Sequence, residues 1–503
     1  MDLPEKKGTE EGISSEILKI AFNTIKEEFK DIINTSLQIG ECPNGWKTST
    51  IVPIPKIEKP KKASDYRPIN ILPIYEKVLE IVVKKQIETY LENNKILSEH
   101  QSGFRKLYSC ETAIQGIIDE WKLEISKGKM IGVIFMDLRR AFETVNRERL
   151  LEKLDQTGIR GKVLEWLKSY LSNRMQKVKF NNQYSKLMIV ENGVPQGSVL
   201  GPLLFILYIN DIAKICTEES RVKLFADDTL IYTAGESCEE LNKKMNDVFQ
   251  IIEEWMISNK LKLNAEKTKY MIVRSVRKEI KGNVIIECRD GTMLERVEVI
   301  KYLGVMIDSK LSFANHCDYM IKKIGKKTSF LNRIGNYITP YVREIIYKSI
   351  IAPHFEYCAT IIVGMGETQL DKLQVAQNRA MRVILQCKRN TKVEHMLQTL
   401  QYMSVRQRLH YNVCIFVFKI LKGQAPEELR DRIEIVGDEC ERETRQKGNI
   451  VLQSRKTYRA QKSIFYNGVK MYNALPIEVK QCERIEIFKR RLKNYIVNTI
   501  TRL

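Results

Sequence analysis

No stretch of the 503 residues is apolar for long enough to cross a bilayer: the longest uncharged apolar run, Val199 to Ile209, falls well short of the roughly 20 residues a spanning helix needs. The opening MDLPEKKGTEEG has neither the apolar core of a secretory leader nor the Arg- and Ser-rich pattern of a transit peptide, so the expected compartment is intracellular, with no membrane partner. No two of the eleven cysteines stand as C-x-x-C and their number is odd, which argues against a disulfide framework and a zinc knuckle and leaves reduced thiols. Two pairs, His354 with Cys358 and His410 with Cys414, have the i, i+4 spacing of zinc ligands on one helix face. Their apolar neighbours Ile350, Ile351, Ile361, Ile415 and Phe416 make them ordinary core-facing helix positions instead. There is also no internal repeat and no low-complexity linker, so organisation has to be read from changes of pattern.

What the chain has in excess is positive charge, unevenly placed. Lys and Arg number 83 against 62 Asp and Glu, a net +21. Residues 1–310 hold 49 basic and 45 acidic side chains, whereas residues 311–503 hold 34 and 17. Charge concentrated in this way suits a grip on a polyanion, because neutralising phosphates releases counterions and gives affinity without reading sequence. With 43% hydrophobic and 29% charged residues, the rest of the composition is that of a folded chain with ample core, long enough for about three folding units.

Apolar positions at Ile13, Ile17, Ile20, Ala21, Ile25, Phe29, Ile32 and Ile33 predict a helix over 13–39. TSTIVPIPK (48–56) reads as a strand broken by its prolines; helices are expected over 73–91, 110–126 and 147–171, and a dense strand IGVIFMDL ends at Asp137. Residues 177–190 read as a hairpin turning at Asn181 and Asn182, and GVPQGSVLGPLLFILYINDI as a Gly/Pro loop opening an apolar helix. VKLFADDTLIYTAG is two apolar runs joined across Ala226, Asp227 and Asp228. A helix over 239–258 and strands at 269–274, 283–288 and 299–308 follow, and after about 311 the pattern is mostly helical and basic.

The chemistry is sought where polar residues interrupt a core pattern. In LFADDTLIY two adjacent carboxylates break a buried-type run, a costly arrangement unless a cation neutralises them. A third, Asp137, ends another apolar strand, so two strand ends can converge on one cluster of hard oxygen donors. Such a set suits Mg²⁺, which keeps several waters and is completed by substrate phosphates. Two such ions form the clamp for in-line phosphoryl transfer.

The ordered blocks DYRPINILPIYEKVLE, HQSGFRK, IFMDLRRAFETV, GVPQGSVLGPLLFILYINDI, LFADDTLIY, LNAEKTKYMIV and KYLGVMID closely resemble the reverse transcriptases of non-LTR (LINE-type) retrotransposons, the jockey-like group in particular. The resemblance spans roughly residues 46–310 and continues more weakly through 350–385 and 472–480. It implies an α+β right-hand polymerase: a helical extension over 1–45, fingers and palm over 46–310, and a helical thumb with basic nucleic-acid-binding surface over 311–503. It implies an RNA-directed DNA polymerase working on an RNA template, a DNA primer and deoxynucleoside triphosphates. Two Mg²⁺ ions, or Mn²⁺, would be held by Asp137, Asp227 and Asp228.

By the same resemblance Phe142 is the bulky residue that excludes a 2′-hydroxyl, and Gln196, beside Gly197, contacts the incoming nucleotide. Lys56 and Arg67 neutralise the triphosphate, and Lys267 protonates the leaving pyrophosphate. Arg105 touches the template, and Leu303 and Gly304 form the primer-grip turn. The family usually has Asp where this chain has Glu143, one methylene longer. Only about 45 residues precede the first block, and KGTEEGISSEILK resembles a degraded form of the segment that follows the family's endonuclease. A separate endonuclease is therefore expected for insertion, and the family's insertion chemistry places the protein in nucleus and cytoplasm. No defensible ribonuclease H set is found after residue 311. The alternative to a live enzyme is a catalytically silent relic that only binds RNA.

Overall fold

The structure, a computed structural model, describes residues 13–215, 219–435, 449–455 and 457–499; the first residues of KGTEEGISSEILK lie outside these. Helix α1 (Ser15–Ile39) starts where the Ser14 hydroxyl takes the Ile17 N–H and stops at Gly40, whose φ of 76° closes a left-handed cap. The strands that follow build two sheets. In the first, β2 (Tyr66–Ile71), β1 (Thr48–Pro55), β4 (Arg174–Phe180) and β5 (Gln183–Tyr184) lie in that order, with β6 (Met188–Val190) also paired to β4. Prolines do not break β1 as expected. Its parallel pairing to β4 ends at Ile51, so Pro53 and Pro55 fall beyond that ladder, where β4 asks them for no N–H. The hairpin turn at Asn181 and Asn182 is present, with φ of 47° and 61°.

The second sheet has the order β10 (Glu295–Arg296), β9 (Lys269–Val273), β3 (Met130–Met136), β8 (Asp228–Gly235), β7 (Ser220–Phe225). Its central strand β3 is buried along its whole length, which is why the sequence shows a continuous apolar run there. Side chains alternate between two cores. Ile131, Val133 and Phe135, with Leu230, Tyr232, Met271 and Val273, belong to one; Met130, Ile134 and Met136, with Ile231 and Ile272, belong to the other. The second core also takes in α2 (Ile74–Asn93), α4 (Arg147–Gln156), α5 (Lys162–Leu171), α6 (Gly201–Tyr208) and α7 (Cys238–Ser258). The first is closed by α3 (Cys110–Ser126), by the hairpin of β11 (Val299–Tyr302) and β12 (Val305–Asp308), by α8 (Ala314–Ile334) and by the helices Glu367–Leu385, Val405–Leu421 and Ile485–Thr499. One continuous core thus joins residues on both sides of the change in composition near 311.

Three expectations are corrected. The helix expected over 147–171 is two helices, α4 and α5, because Gly158 and Gly161 between them take φ of 88° and 59°. The strand expected at 283–288 does not form. Its alternation is real, with Val284, Ile286 and Cys288 buried, but its backbone pairing is only one antiparallel bridge, Glu287 opposite Met293, and side chains take up the rest: Asn246 Nδ2 donates to the Ile285 carbonyl at 2.8 Å and the Ile285 N–H donates to Asn242 Oδ1 at 2.8 Å. His354 and Cys358 do not share a helix face, since the helix Pro353–Glu356 ends between them and Cys358 has φ 49°. Among the described residues no helix is long and apolar enough to cross a membrane, and the nine described cysteines are free thiols.

Candidate active site

Strand register brings the three carboxylates to one end of the second sheet. The β3–β8 ladder runs to Met136 opposite Thr229, so Asp137 and Asp228 are the next residues of the two strands. The β7–β8 pairing closes with Phe225 opposite Asp228, leaving Ala226 and Asp227 as the turn, Ala226 with φ 56°. Burial pushes the Asp228 carboxyl up to about 6, and the charges of Asp227 and Asp137 add to it. Asp227 is raised for the same first reason and by Asp137, while a backbone hydrogen bond and the nearby Arg67 guanidinium oppose the shift. The carboxylates are therefore mutually repelling and open to solvent, a set that gains from a cation.

Among the described residues no three His, Cys, Asp or Glu side chains close a metal shell by themselves, and these carboxylates are no exception. Asp137 and Asp228 end adjacent strands and Asp227 sits in the turn, so they border one open space. The donor chemistry fits a hard divalent ion whose remaining positions are filled by water and phosphate.

Asp137 is held from a second direction. Its Oδ2 accepts Asn264 Nδ2 at 2.7 Å, its N–H reaches Thr268 Oγ1 at 3.2 Å, and its carbonyl takes the Asn264 N–H at 2.9 Å. The LNAEKT segment is thus wrapped on the carboxylate strand, and Lys267 Nζ stands 4.0 Å from Asp137 Oδ2.

GVPQGS is seated on two neighbours. The Asn70 N–H donates to the Gln196 carbonyl at 2.7 Å, and Gly197, at φ 116°, leaves so little room that a Cβ would lie 2.6 Å from the Asn70 carbonyl. At the other end a Cβ on Gly193 would meet the Glu143 carbonyl at 2.7 Å. Arg147 ties the approach down, donating to the carbonyls of Val190, Asn192 and Gly193 at 2.5, 3.3 and 3.0 Å. Glu80 anchors the exit: fully buried, it accepts the Val199 N–H at 2.9 Å and the Tyr170 hydroxyl at 2.5 Å.

Phe142 is half-buried, stacked on Phe205 at 4.6 Å and met edge-on by Phe104 at 6.5 Å. Leu303 and Gly304 form the β11–β12 turn with φ 43° and 80°; the Tyr357 hydroxyl donates to the Leu303 carbonyl at 2.7 Å. The preceding Tyr302 is buried, which raises its phenol, and Asp228 raises it further, so the hairpin base lies beside the carboxylates.

The structure therefore gathers Asp137, Asp227, Asp228, Lys267 and Arg67 around one space, with Phe142, the Gln196–Gly197 loop and the Leu303–Gly304 turn on elements that border it. Two expected residues are otherwise engaged. Lys56 sits at the β1–β2 hairpin tip with Nζ on the Ser64 carbonyl at 3.0 Å. Arg105 donates to the carbonyls of Ser98 and Gln101 at 2.6 and 3.1 Å and covers the Tyr108 ring. Sequence reasoning missed Asn264, Arg147, Glu80 and Gln101. Glu80 carried a signal, a carboxylate spaced four from Glu76 within the apolar helix of 73–91; Asn264 and Gln101 carried none beyond membership of a block, and Arg147, two residues past one, carried none.

The family described as "Reverse transcriptase (RNA-dependent DNA polymerase)" matches residues 57–307. Among curated proteins, the probable RNA-directed DNA polymerase from transposon X-element of Drosophila melanogaster is 29% identical over 72% of this chain and 40% of its own length. The corresponding polymerase from mobile element jockey of the same organism is 26% identical over 70% of this chain and 39% of its own. The chain spans about two-fifths of the length of the curated relatives it matches. Among solved structures, apo telomerase from Candida tropicalis matches 81% of this chain and 74% of that one, with 14% identity and a TM-score of 0.39.

Proposed function

Since the chain belongs to the reverse transcriptase family, with its likeness to the polymerases of jockey-type non-LTR retrotransposons, we propose that it extends a DNA primer on an RNA template from deoxynucleoside triphosphates. The observation that carries this reading is the convergence of Asp137, Asp227 and Asp228 at the ends of two paired strands, with the carboxyls of Asp227 and Asp228 raised by burial and by neighbouring negative charge.

Asp137 and Asp227 would hold both Mg²⁺ ions and Asp228 would complete the set; Mn²⁺ has the same donor preference. Such ions, when bound, activate the primer 3′-hydroxyl and steady the triphosphate and leaving pyrophosphate. The chain's own work is positioning and charge. Asn264 and Thr268 fix the orientation of Asp137, and Lys267 Nζ holds a proton beside it for the departing pyrophosphate. Arg67 faces the triphosphate, and Lys56 is the second cation on the same β1–β2 hairpin that would neutralise it. Gln196 and Gly197 take the base and sugar. The face of Phe142, backed by Phe205, leaves no hydrogen-bond partner for a 2′-hydroxyl. The Leu303–Gly304 turn supports the primer end, and Arg105 touches the template through the loop it clamps. Residues 46–310 supply fingers and palm, and 311–503 the thumb and a basic surface for an RNA:DNA duplex held by shape and phosphate. The work is placed in nucleus and cytoplasm.

The test is primer extension by purified protein on RNA with Mg²⁺ and deoxynucleotides, beside Asp227→Asn/Asp228→Asn. Extension by the native chain, reduced in the double variant by a factor on the order of a thousand, is expected from a loss of several kcal/mol of charge stabilisation. Equal RNA binding by both without extension by either would leave the silent RNA-binding relic.

A further inference from the structure

Gln101 has no part in the chemistry described, yet it is fully buried. Its Oε1 accepts two backbone N–H groups, that of Gly103 at 2.7 Å and that of Ala226 at 3.1 Å. Its Nε2 is buried and has no partner among the described residues. An unpaired buried donor is costly, and the fold tolerates it with the amide oxygen held in place.

What that oxygen holds is the turn that carries Asp227. Ala226 has φ 56°, a left-handed conformation that a residue with a Cβ occupies at a cost and keeps only where its surroundings over-determine it. The surroundings here come from one segment. Residues 100–102 lie parallel to β7: the Leu224 N–H donates to the His100 carbonyl at 2.8 Å and the Ser102 N–H to the Leu224 carbonyl at 2.8 Å. Gly103 then presses so close that a Cβ on it would lie 2.2 Å from the Ala226 nitrogen. The next residue, Phe104, meets Phe142 edge-on. The segment is therefore a floor beneath the carboxylate turn, and Gln101 is its one side-chain bond to that turn.

We propose that Gln101 is a positioning residue for the metal site: its amide oxygen fixes the left-handed turn at Ala226 and so aims the Asp227 carboxylate. The proposal rests on the polymerase reading for its catalytic consequence, but not for its effect on cation binding. Gln101 touches no substrate. Its loss loosens Asp227 and leaves nucleotide contacts in place.

The experiment compares the full-length wild type, Gln101→Leu, Gln101→Glu and Asp227→Asn. Each is titrated with Mn²⁺ by calorimetry, without turnover, and then assayed for single-nucleotide incorporation. Gln101→Leu keeps the volume and removes the acceptor; it is expected to bind Mn²⁺ about tenfold more weakly and to lose at least tenfold in kcat, with KM for the nucleotide within twofold. Gln101→Glu keeps an acceptor oxygen and removes the unpaired donor, and is expected to recover most of both. Gln101→Leu binding Mn²⁺ like the wild type overturns the proposal. If Gln101→Leu does not fold, a folded Gln101→Glu with Asp227→Asn-like Mn²⁺ binding overturns it equally. Wild-type Mn²⁺ binding that Asp227→Asn loses, with no incorporation by any variant, would instead overturn the polymerase reading, and the Mn²⁺ comparison still decides the role of Gln101.

Discussion

Asp228 shows what a single residue costs and what it is kept for. Its carboxyl is raised to about 6, against an ordinary value near 4, by burial and two like charges. A carboxylate whose pKa is higher folded than unfolded favours folding only while it is protonated. That favour is lost as pH rises from about 4 to about 6, and above 6 the full penalty stands. Asp228→Asn is therefore expected to melt with the wild type near pH 4 and above it at pH 7.5. The carboxyl is open to solvent, so the gain is discounted to at most about 1 kcal/mol. Mg²⁺ should raise the melting temperature of the wild type more than that of the variant, which keeps Asp137 and Asp227; thermal melts at the two pH values, with and without the ion, check both. Phe142→Val should relax the choice of sugar, raising ribonucleotide incorporation relative to deoxyribonucleotide in a competition assay. Removing the ring from its stack on Phe205 should cost about 1–3 kcal/mol of stability. Asp228 was legible because it interrupts an apolar run, and Phe142 through the family resemblance. Gln101 and Asn264 were not, because what they hold is backbone and a carboxylate more than a hundred residues away.

At the scale of elements, the loop bearing Gln196 is propped by a buried polar cluster between α2, α5 and β4. Glu76 and Arg174 pair at 2.8 Å with almost no solvent exposure, and Glu80 holds the Tyr170 hydroxyl and the loop's end at Val199. Burial pushes both carboxyls up; Arg174 opposes this. Burial disfavours the charge of Arg174 in turn, but Glu76 lifts it above its ordinary value. Breaking such a pair leaves a bare charge in the interior. Arg174→Met alone should cost about 3–5 kcal/mol in denaturant unfolding, whereas Glu76→Leu with Arg174→Met should cost far less. The elements themselves were mostly visible in sequence: β3, α3, α6 and the hairpin around Asp227 stand where their patterns put them. The segment 283–288 was misread because alternation reports burial, not the extent of pairing: one antiparallel bridge forms, Glu287 opposite Met293, and side-chain amides of α7 take up the backbone around Ile285.

Across the whole molecule, a single core reaches from Ile114 to Ile496. The change of composition near 311 was legible, but the contacts that cross it were not, since nothing in a local pattern reveals which distant helices cover a sheet face. The sheet face is covered by α3 and the β11–β12 hairpin, whose Ile114, Ile117, Ile118, Trp121, Tyr302, Val305 and Ile307, each no more than 5% exposed, share one core with the helices beyond 310. Uncovering the outer side of that layer forfeits on the order of 10 kcal/mol, at about 1.5–3 kcal/mol per large side chain, which is comparable with the whole stability of a domain. A chain ending at residue 310 should therefore lack a cooperative melt and bind a hydrophobic dye. The family match ends at 307, but the fold does not.

Anomalous diffraction from crystals of the full chain with Mn²⁺, primer–template and a non-hydrolysable deoxynucleoside triphosphate analogue tests the site most directly. Two Mn²⁺ peaks bounded by Asp137, Asp227 and Asp228, with the triphosphate between them and Lys267, are expected. Ordered nucleic acid and nucleotide with Mn²⁺ bound elsewhere, or with no peak at these carboxylates, would contradict it.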